Sequence, residues 1–476
     1  MSAQLETPQQ LSELLKQHRK ATDEQGVVDV ETRKRRLQTA IDLLVDHHQE
    51  LCTAMEADFG GRHQGFSLMN DILGSLNSLK HARDNLEQWV GSESRQVFSP
   101  YDQMGAQAWV QYKPKGTVGI IGTWNAPIFT LLSPLASALS AGNRAVLKPS
   151  EVAPETARVL AKAIGECFDP MDVAVITGGV DVGQAFAGMP FDHLVFTGST
   201  EVGKKIMRAA ADNLVPVTLE LGGKSPVIIS ETADVREAAR RLAIAKGMNG
   251  GQLCISPDRI YVPVAARDEF ISAFCETYST LYPTVEDNPD FTAVVNVQHL
   301  ARVTGYVAQA QEEGAEVIRC PDLAVPAVGR KHPLSIVINP PLLSDIMQHE
   351  IFGPAFVLLT YSDIKHVVQE INQGGRPLAL YYFGQDQIEQ DYVLDHTLSG
   401  GVTLNDALMH AAMEDAPFGG VGASGMGHYH GRDGFLEFSH ARTVFQSAPV
   451  DPRAEWGMLP PFPEHFAAAM AAQVTR

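Results

Sequence analysis

The sequence predicts an α/β protein of two or three domains, built on parallel sheets wrapped by helices. Three observations carry this expectation. At 476 residues the chain is too long for one ordinary core. From Gly116 onward, short apolar runs alternate with stretches of helical spacing. Those runs are apolar throughout, which is the pattern of strands covered on both faces, as in parallel sheets.

In chain order, Leu37, Ile41, Leu44 and Val45 recur at helical spacing, and Leu51 and Met55 continue the face. A second amphipathic helix is expected over 68–89. Helical signal stops over 96–115, where Ala108-Trp109-Val110-Gln111-Tyr112 alternates like a strand. Residues 116–143 carry no charge, which is long enough for a membrane span. Pro127, Pro134, Asn125 and recurrent Ser and Thr break that reading. A buried strand (116–122), a loop and a buried helix from near Pro127 fit better. Strands follow at 145–147, 173–179, 193–198 and 217–221, with a helix over 154–167. A domain boundary is expected at Leu221-Gly222-Gly223. Beyond it, strands are expected at 225–229, 259–262 and 355–359, and helices at 265–282 and 297–313. The tail from Pro449, rich in Pro and Ala, is expected to pack on a partner subunit or to fray.

Lys+Arg 37 against Asp+Glu 56 gives a net charge of -19. Such a chain repels phosphate backbones and anionic membranes, so neither nucleic acid nor a membrane is an expected partner. The five cysteines form no C-x-x-C pair. Their number is odd and the chain is long, so a disulfide scaffold is not expected and a reducing compartment is. Cys52, Cys167, Cys275 and Cys320 read as inert buried residues. The N-terminus shows no signal or transit peptide. His428, His430 and His440 have no acidic cluster beside them, so they read as satisfied structural histidines and no metal site is expected.

Cys254 stands in Gly251-Gln252-Leu253-Cys254. Upstream lie Glu220, in Glu220-Leu221-Gly222-Gly223-Lys224, and Asn125, in Thr123-Trp124-Asn125-Ala126-Pro127. A thiol nucleophile, a carboxylate base and an amide donor are what thioacyl chemistry on a carbonyl requires. Gly198-Ser199-Thr200-Glu201-Val202-Gly203-Lys204 follows a strand and opens a helix, where backbone N–H groups can cradle phosphate. It lacks the Walker A hydroxyl at Lys205 and is not G-x-G-x-x-G, so alone it is equally a plain strand-to-helix turn. Lys148-Pro149-Ser150-Glu151 reads alone as a helix start with a surface lysine. Glu350-Ile351-Phe352 reads alone as an exposed carboxylate and a core ring. The glycine-rich run 417–427 suggests close backbone packing near the site.

These strings, in this order, resemble the aldehyde dehydrogenase superfamily over residues 33–445, with endings most similar to its class 3 branch and to coniferyl aldehyde dehydrogenases. The resemblance implies a Rossmann-like NAD-binding domain (1–97 and 117–222, with part of 411–435) and an α/β catalytic domain (223–410). It also implies a small β oligomerisation element and tail (98–116 and 436–476). It implies Cys254 as nucleophile, Glu220 as base and Asn125 with the Cys254 backbone N–H as oxyanion donors. It places Trp124, Gly198, Ser199, Gly203 and Leu221 along the cofactor, Lys148 and Glu151 on the adenosine ribose, Glu350 on the nicotinamide ribose and Phe352 against the nicotinamide ring. Glu151 would repel a 2′-phosphate, which favours NAD while still admitting NADP. Absence of a hydrophobic C-terminal anchor argues for a soluble enzyme, and a cytoplasmic homodimer or higher homo-oligomer is expected.

The reaction expected is oxidation of an aldehyde to its acid through a thiohemiacetal and a thioester. Leu253 and Ile255 suggest an apolar approach to the thiol, and no Arg or Lys stands beside Cys254 in the chain. An aromatic aldehyde of the coniferyl type is expected, with a medium- or long-chain aliphatic one as the alternative. From the residues alone, a Cys-dependent acyl hydrolase and a phosphate-loop NTPase also stay open.

Overall fold

The computed structural model describes residues 4–99, 101–321, 329–451, 453 and 456–476. Two seven-stranded sheets form its body. The first runs β1 (Gln4–Leu5), β6 (Val173–Ile176), β5 (Arg144–Lys148), β4 (Thr117–Ile121), β7 (His193–Gly198), β8 (Val217–Leu221) and β16 (Gly425–Met426). All its pairings are parallel except β16 on β8. Strand order runs one way from β4 through β5 to β6 and the other way through β7 to β8. Ligands of such sheets sit outside the carboxyl ends of the strands at that reversal. Asn125 follows β4 there, and Ser199 follows β7.

The second sheet runs β11 (Glu316–Cys320), β12 (Leu334–Ile338), β13 (Ala355–Tyr361), β10 (Arg259–Pro263), β9 (Pro226–Ile229), β14 (Ala379–Phe383) and β15 (Gly401–Leu404). Only β11 is antiparallel. A third, antiparallel sheet joins β17 (Ser439–Gln446), β3 (Gln107–Pro114) and β2 (Glu93–Arg95). Buried strands such as β4 and β5 have no exposed residue, as their apolar runs require.

Two features of the first layer were not legible as elements. Thr7 and Gln10 form a reciprocal capping box on the helix Pro8–Gln25, and β1 extends the sheet beside β6. The expected helix 68–89 is broken into a π-helical turn, Leu68–Leu73, and an α-helix, Gly74–Trp89. The turn carries Asp71, which is fully buried. Arg62 donates to Asp71 Oδ2 at 2.7 Å, while Oδ1 accepts from the backbone of Ile128 at 3.1 Å and Phe129 at 3.3 Å. This buried pair caps the helix Phe129–Ser140 and so holds the end of the Asn125 loop.

The cysteine expectation needs correcting. Cys275, on the helix Arg267–Leu281, is disulfide-bonded to Cys320 at the end of β11, with Cα atoms 5.4 Å apart. The fold brings together residues 45 apart in sequence, which spacing alone could not reveal. Cys52, Cys167 and Cys254 are free. In the tail, Phe466–Ala471 forms a short helix with no buried residue. Among the described residues no helix is long and apolar enough to cross a membrane.

Candidate active site

Cys254 sits in the loop between the helix Val235–Gly247 and β10. The helix stops because Asn249, Gly250 and Gly251 all take positive φ, at 52°, 61° and 75°. At Gly251 a Cβ would lie 2.4 Å from the Gly353 carbonyl oxygen, so the loop can pass only without a side chain. Gln252, fully buried, locks the turn. Its Nε2 donates to Asn249 O at 2.8 Å and Ala293 O at 3.0 Å, and its Oε1 accepts from Val295 N at 2.9 Å. Beyond the thiol, Ser225 donates to Cys254 O at 3.3 Å and Tyr381 to Ile255 O at 2.6 Å. The Cys254 and Ile255 N–H groups are left facing the sulfur.

Asn125 is tied to the same loop. Its Nδ2 donates to Gln252 O at 3.0 Å, and Asn249 Nδ2 donates to Asn125 O at 3.1 Å. An amide nitrogen carries two N–H donors, so one stays available to a ligand. Glu220, near the end of β8, is 2% exposed and its Oε1 has no partner. Backbone packs against it from outside: Gly425 pairs with Glu220 in β16, where a Cβ would meet Leu219 O at 1.9 Å. The glycine-rich run therefore closes the wall behind the carboxylate.

Burial pushes the Glu220 carboxyl up to about 8, with the Glu350 charge adding to the shift and the thiol contact opposing it. Burial, then the Asp258 charge, raises Glu350 to about 8 as well. The Cys254 thiol is pushed well above its ordinary value, first by burial and then by the Glu220 and Glu350 carboxylates. Two carboxylates thus face one thiol across a poorly solvated space, and each opposes ionisation of the others.

A cavity of about 660 Å³ unites these groups. Of the residues singled out from sequence, Trp124, Asn125, Gly198, Ser199, Glu220, Cys254, Glu350 and Phe352 line it; Lys148, Glu151, Gly203 and Leu221 do not. Ser199 caps the 12-residue helix Thr200–Ala211, accepting from Val202 N at 3.4 Å. Gly203 packs behind the turn, where a Cβ would lie 2.7 Å from Leu221. Lys148 is buried and donates to Glu151 at 2.7 Å, leaving that carboxylate partly exposed. Phe352, at φ 45°, meets Trp124 edge-on with centroids 5.3 Å apart.

The structure adds residues that spacing did not reveal. Arg302 lines the cavity, yet its guanidinium is engaged, donating to Glu350 O at 3.1 Å and Phe352 O at 3.4 Å and stacking over Tyr306. It holds the 350–352 turn. Asp258, bonded to Lys224, accepts from Ile351 N at 2.8 Å and braces the turn from the other side. Tyr429 is buried on the wall, its phenol pushed up by burial and by Glu220 and Cys254. His430 stacks on Phe418; burial lowers it to about 4, and a hydrogen bond to the Met413 backbone opposes that shift. Among the described residues no cluster of His, Cys, Asp or Glu could hold a metal ion.

The two sheets thus meet at a cavity that brings a free thiol to two buried carboxylates. The aldehyde dehydrogenase family model matches residues 1–444, and the chain belongs to that family. It is accordingly an oxidoreductase acting on an aldehyde. It is 42% identical over 449 residues to coniferyl aldehyde dehydrogenase of Pseudomonas sp., covering 93% of this chain and 92% of that protein. Among solved structures, the substrate-bound state of Staphylococcus aureus AldH superposes with a TM-score of 0.89 at 34% identity, over 97% of this chain and 99% of that one. An indole-3-acetaldehyde dehydrogenase of P. syringae, in complex with NAD+, superposes with a TM-score of 0.82 at 27% identity, over 91% and 88%.

Proposed function

We propose that the chain oxidises aromatic aldehydes of the coniferyl type to their acids with NAD, through a thioester on Cys254. The observation that carries this reading is one cavity that joins Cys254, Glu220 and Asn125 to a largely apolar passage past Phe129, Met409 and Phe418. The similarity to a coniferyl aldehyde dehydrogenase supports the substrate class.

The residues present suit a dinucleotide. The Ser199-capped helix start presents backbone N–H groups at the strand reversal, and Thr197 and Gly198 line the cavity beside it. Lys148 and Glu151 would hold the adenosine ribose, and Glu350 and Phe352 the nicotinamide end. NAD(P), when bound there, accepts the hydride. Glu151 disfavours a 2′-phosphate, so NAD is preferred.

Cys254 Sγ attacks the carbonyl carbon as thiolate. The thiol proton passes to solvent before attack, and Glu220, whose charge adds to the burial that opposes thiolate formation, is kept for the water step. The remaining Asn125 N–H and the Cys254 backbone N–H hold the developing oxyanion; one such donor is worth about 2.7–4 kcal/mol of barrier. Loss of hydride from the adduct leaves an acyl thioester. Glu220 then takes a proton from water, which attacks the thioester and releases the acid and the thiol.

The first sheet serves the cofactor and the second the thiol. The proposed assembly is a homodimer or higher oligomer. β17 lies at the edge of its sheet and carries the exposed Phe445 stacked on Phe98, a surface suited to a second copy.

An aldehyde panel followed by NADH absorbance tests the substrate. Cinnamaldehyde-type substrates should show higher kcat/KM than succinic semialdehyde, because Arg302, which lines the cavity, is committed to the 350–352 turn. A preference for succinic semialdehyde, or for long aliphatic aldehydes, would overturn the reading.

A further inference from the structure

The cavity meets solvent between the start of the helix Gly74–Trp89 and the turn Met409–Ala412. Met69 and Met409, both about half exposed, stand at that mouth, with Phe129 and Ala411 further along the walls. Thioether and aromatic side chains make this a surface for a flat ring. One residue breaks the pattern. Glu414 lines the same passage, and no Lys, Arg or His forms an ion pair with it among the described residues.

Glu414 is nonetheless held in place. Ser78 donates its hydroxyl to Glu414 Oε2 at 2.9 Å, and the same hydroxyl lies 2.9 Å from Ser133 Oγ. Ser78 and Ser133 are both buried, on two helices packed side by side. The other carboxylate oxygen, Oε1, has no hydrogen bond to a described residue. Burial raises the Glu414 carboxyl, the mark of an anion placed where solvation is poor. Among the described residues nothing donates to Oε1, which stays open to the passage, so a donor carried by the ligand can take the place of solvent there.

We propose that Glu414 reads a hydroxyl group at the distal end of the aldehyde, so that the site selects hydroxylated aromatic aldehydes of the 4-hydroxycinnamaldehyde type. This rests on the aromatic-aldehyde reading above and names the group that distinguishes one aromatic aldehyde from another. The phenolic O–H donates to Glu414 Oε1 while the ring lies against Met69 and Met409. A methyl ether at the same position offers no proton and leaves the carboxylate unpaired. An aldehyde bearing a distal carboxylate is repelled by the same charge.

The test compares kcat/KM for 4-hydroxycinnamaldehyde, 4-methoxycinnamaldehyde and cinnamaldehyde in the full-length enzyme, in Glu414→Ala and in the isosteric Glu414→Gln. The native enzyme should favour the hydroxylated aldehyde over both others by about 10–100-fold, the range of a hydrogen bond to a charged group. The ratio should fall to within about threefold in the alanine variant, and to an intermediate value in glutamine, which keeps an acceptor but loses the charge. Ratios within one variant are insensitive to partial loss of folded protein, and binding of NADH followed by fluorescence identifies the folded fraction. A native preference that survives in both variants overturns the role of Glu414 alone. A native enzyme that oxidises all three aldehydes equally does so too. A native enzyme that turns over none of them while oxidising long aliphatic aldehydes overturns the aromatic reading itself, and this proposal with it.

Discussion

Replacing Glu220 by Gln keeps the side-chain volume and removes the proposed base. The structure says which half of the reaction this should stop. Glu220 is one of two carboxylates that hold the Cys254 thiol protonated, so its charge opposes thiolate formation. Removing that charge eases attack, and hydride loss has no need of the carboxylate. Hydrolysis of the thioester does need it, because neutral water is a poor nucleophile and general-base catalysis is worth about 10²–10⁴-fold, or roughly 2.7–5.5 kcal/mol. Stopped-flow absorbance should therefore show a burst of NADH near one equivalent per site, then a steady rate lower by about that factor. Mass spectrometry of the quenched variant should find an acyl adduct on Cys254. The pH profile supplies a second signature. With Glu220 near 8, the ionised, active fraction climbs from roughly a tenth at pH 7 to roughly nine-tenths at pH 9. The native steady rate should rise over that window and the variant's rise should vanish. Glu350 titrates in the same range, so the apparent value belongs to the pair. Absence of both burst and adduct would mean that Glu220 acts earlier, by deprotonating the thiol. An unchanged steady rate would mean that another residue is the base.

Glu151→Gln should narrow the preference for NAD over NADP, read as the ratio of kcat/KM values; a native enzyme that already favours NADP would refute the role given to this carboxylate. Asn125→Ala should lower kcat by about 10²–10³-fold, the loss of one oxyanion donor, with cofactor affinity little changed; a fall confined to KM would point to ground-state binding instead. Arg62→Ala strands the buried Asp71 carboxylate and should cost about 3–5 kcal/mol in urea unfolding. Because Asp71 caps the helix beyond the Asn125 loop, residual activity per folded molecule should fall as well; an unchanged unfolding midpoint would refute the clamp.

What the chain revealed in advance, and what it hid, divides by range. Cys254, Glu220, Asn125 and Ser199 stand in short strings next to strand ends, where a residue's neighbours in sequence are also its surroundings. The expected strands at 217–221 and 193–198 coincide with β8 and β7 for the same reason. Contacts made across the fold left little trace. Arg302 reaches the Glu350–Phe352 turn from a helix 48–50 residues away. Ser78 meets Glu414 across 336 residues. Two signals were present and unused. Asn249-Gly250-Gly251 is a turn string shortly before Cys254, and Thr7-Pro8-Gln9-Gln10 spells the start of the first helix. The surroundings of His430 left little trace because its aromatic cage is assembled from Phe129, Phe418 and Tyr429, and only the last of these adjoins it in sequence.

Everything in this account passes through the sulfur of Cys254. Cys254→Ala leaves the Ser199 helix start, Lys148, Glu151 and Glu350 in place, so NADH binding, titrated by fluorescence, should match the native enzyme. Turnover of a cinnamaldehyde-type substrate with NAD should fall by more than about 10⁴-fold, with no burst and no covalent adduct. Turnover that persists in the alanine variant, beside intact cofactor binding, would contradict the nucleophile and the thioester mechanism built on it.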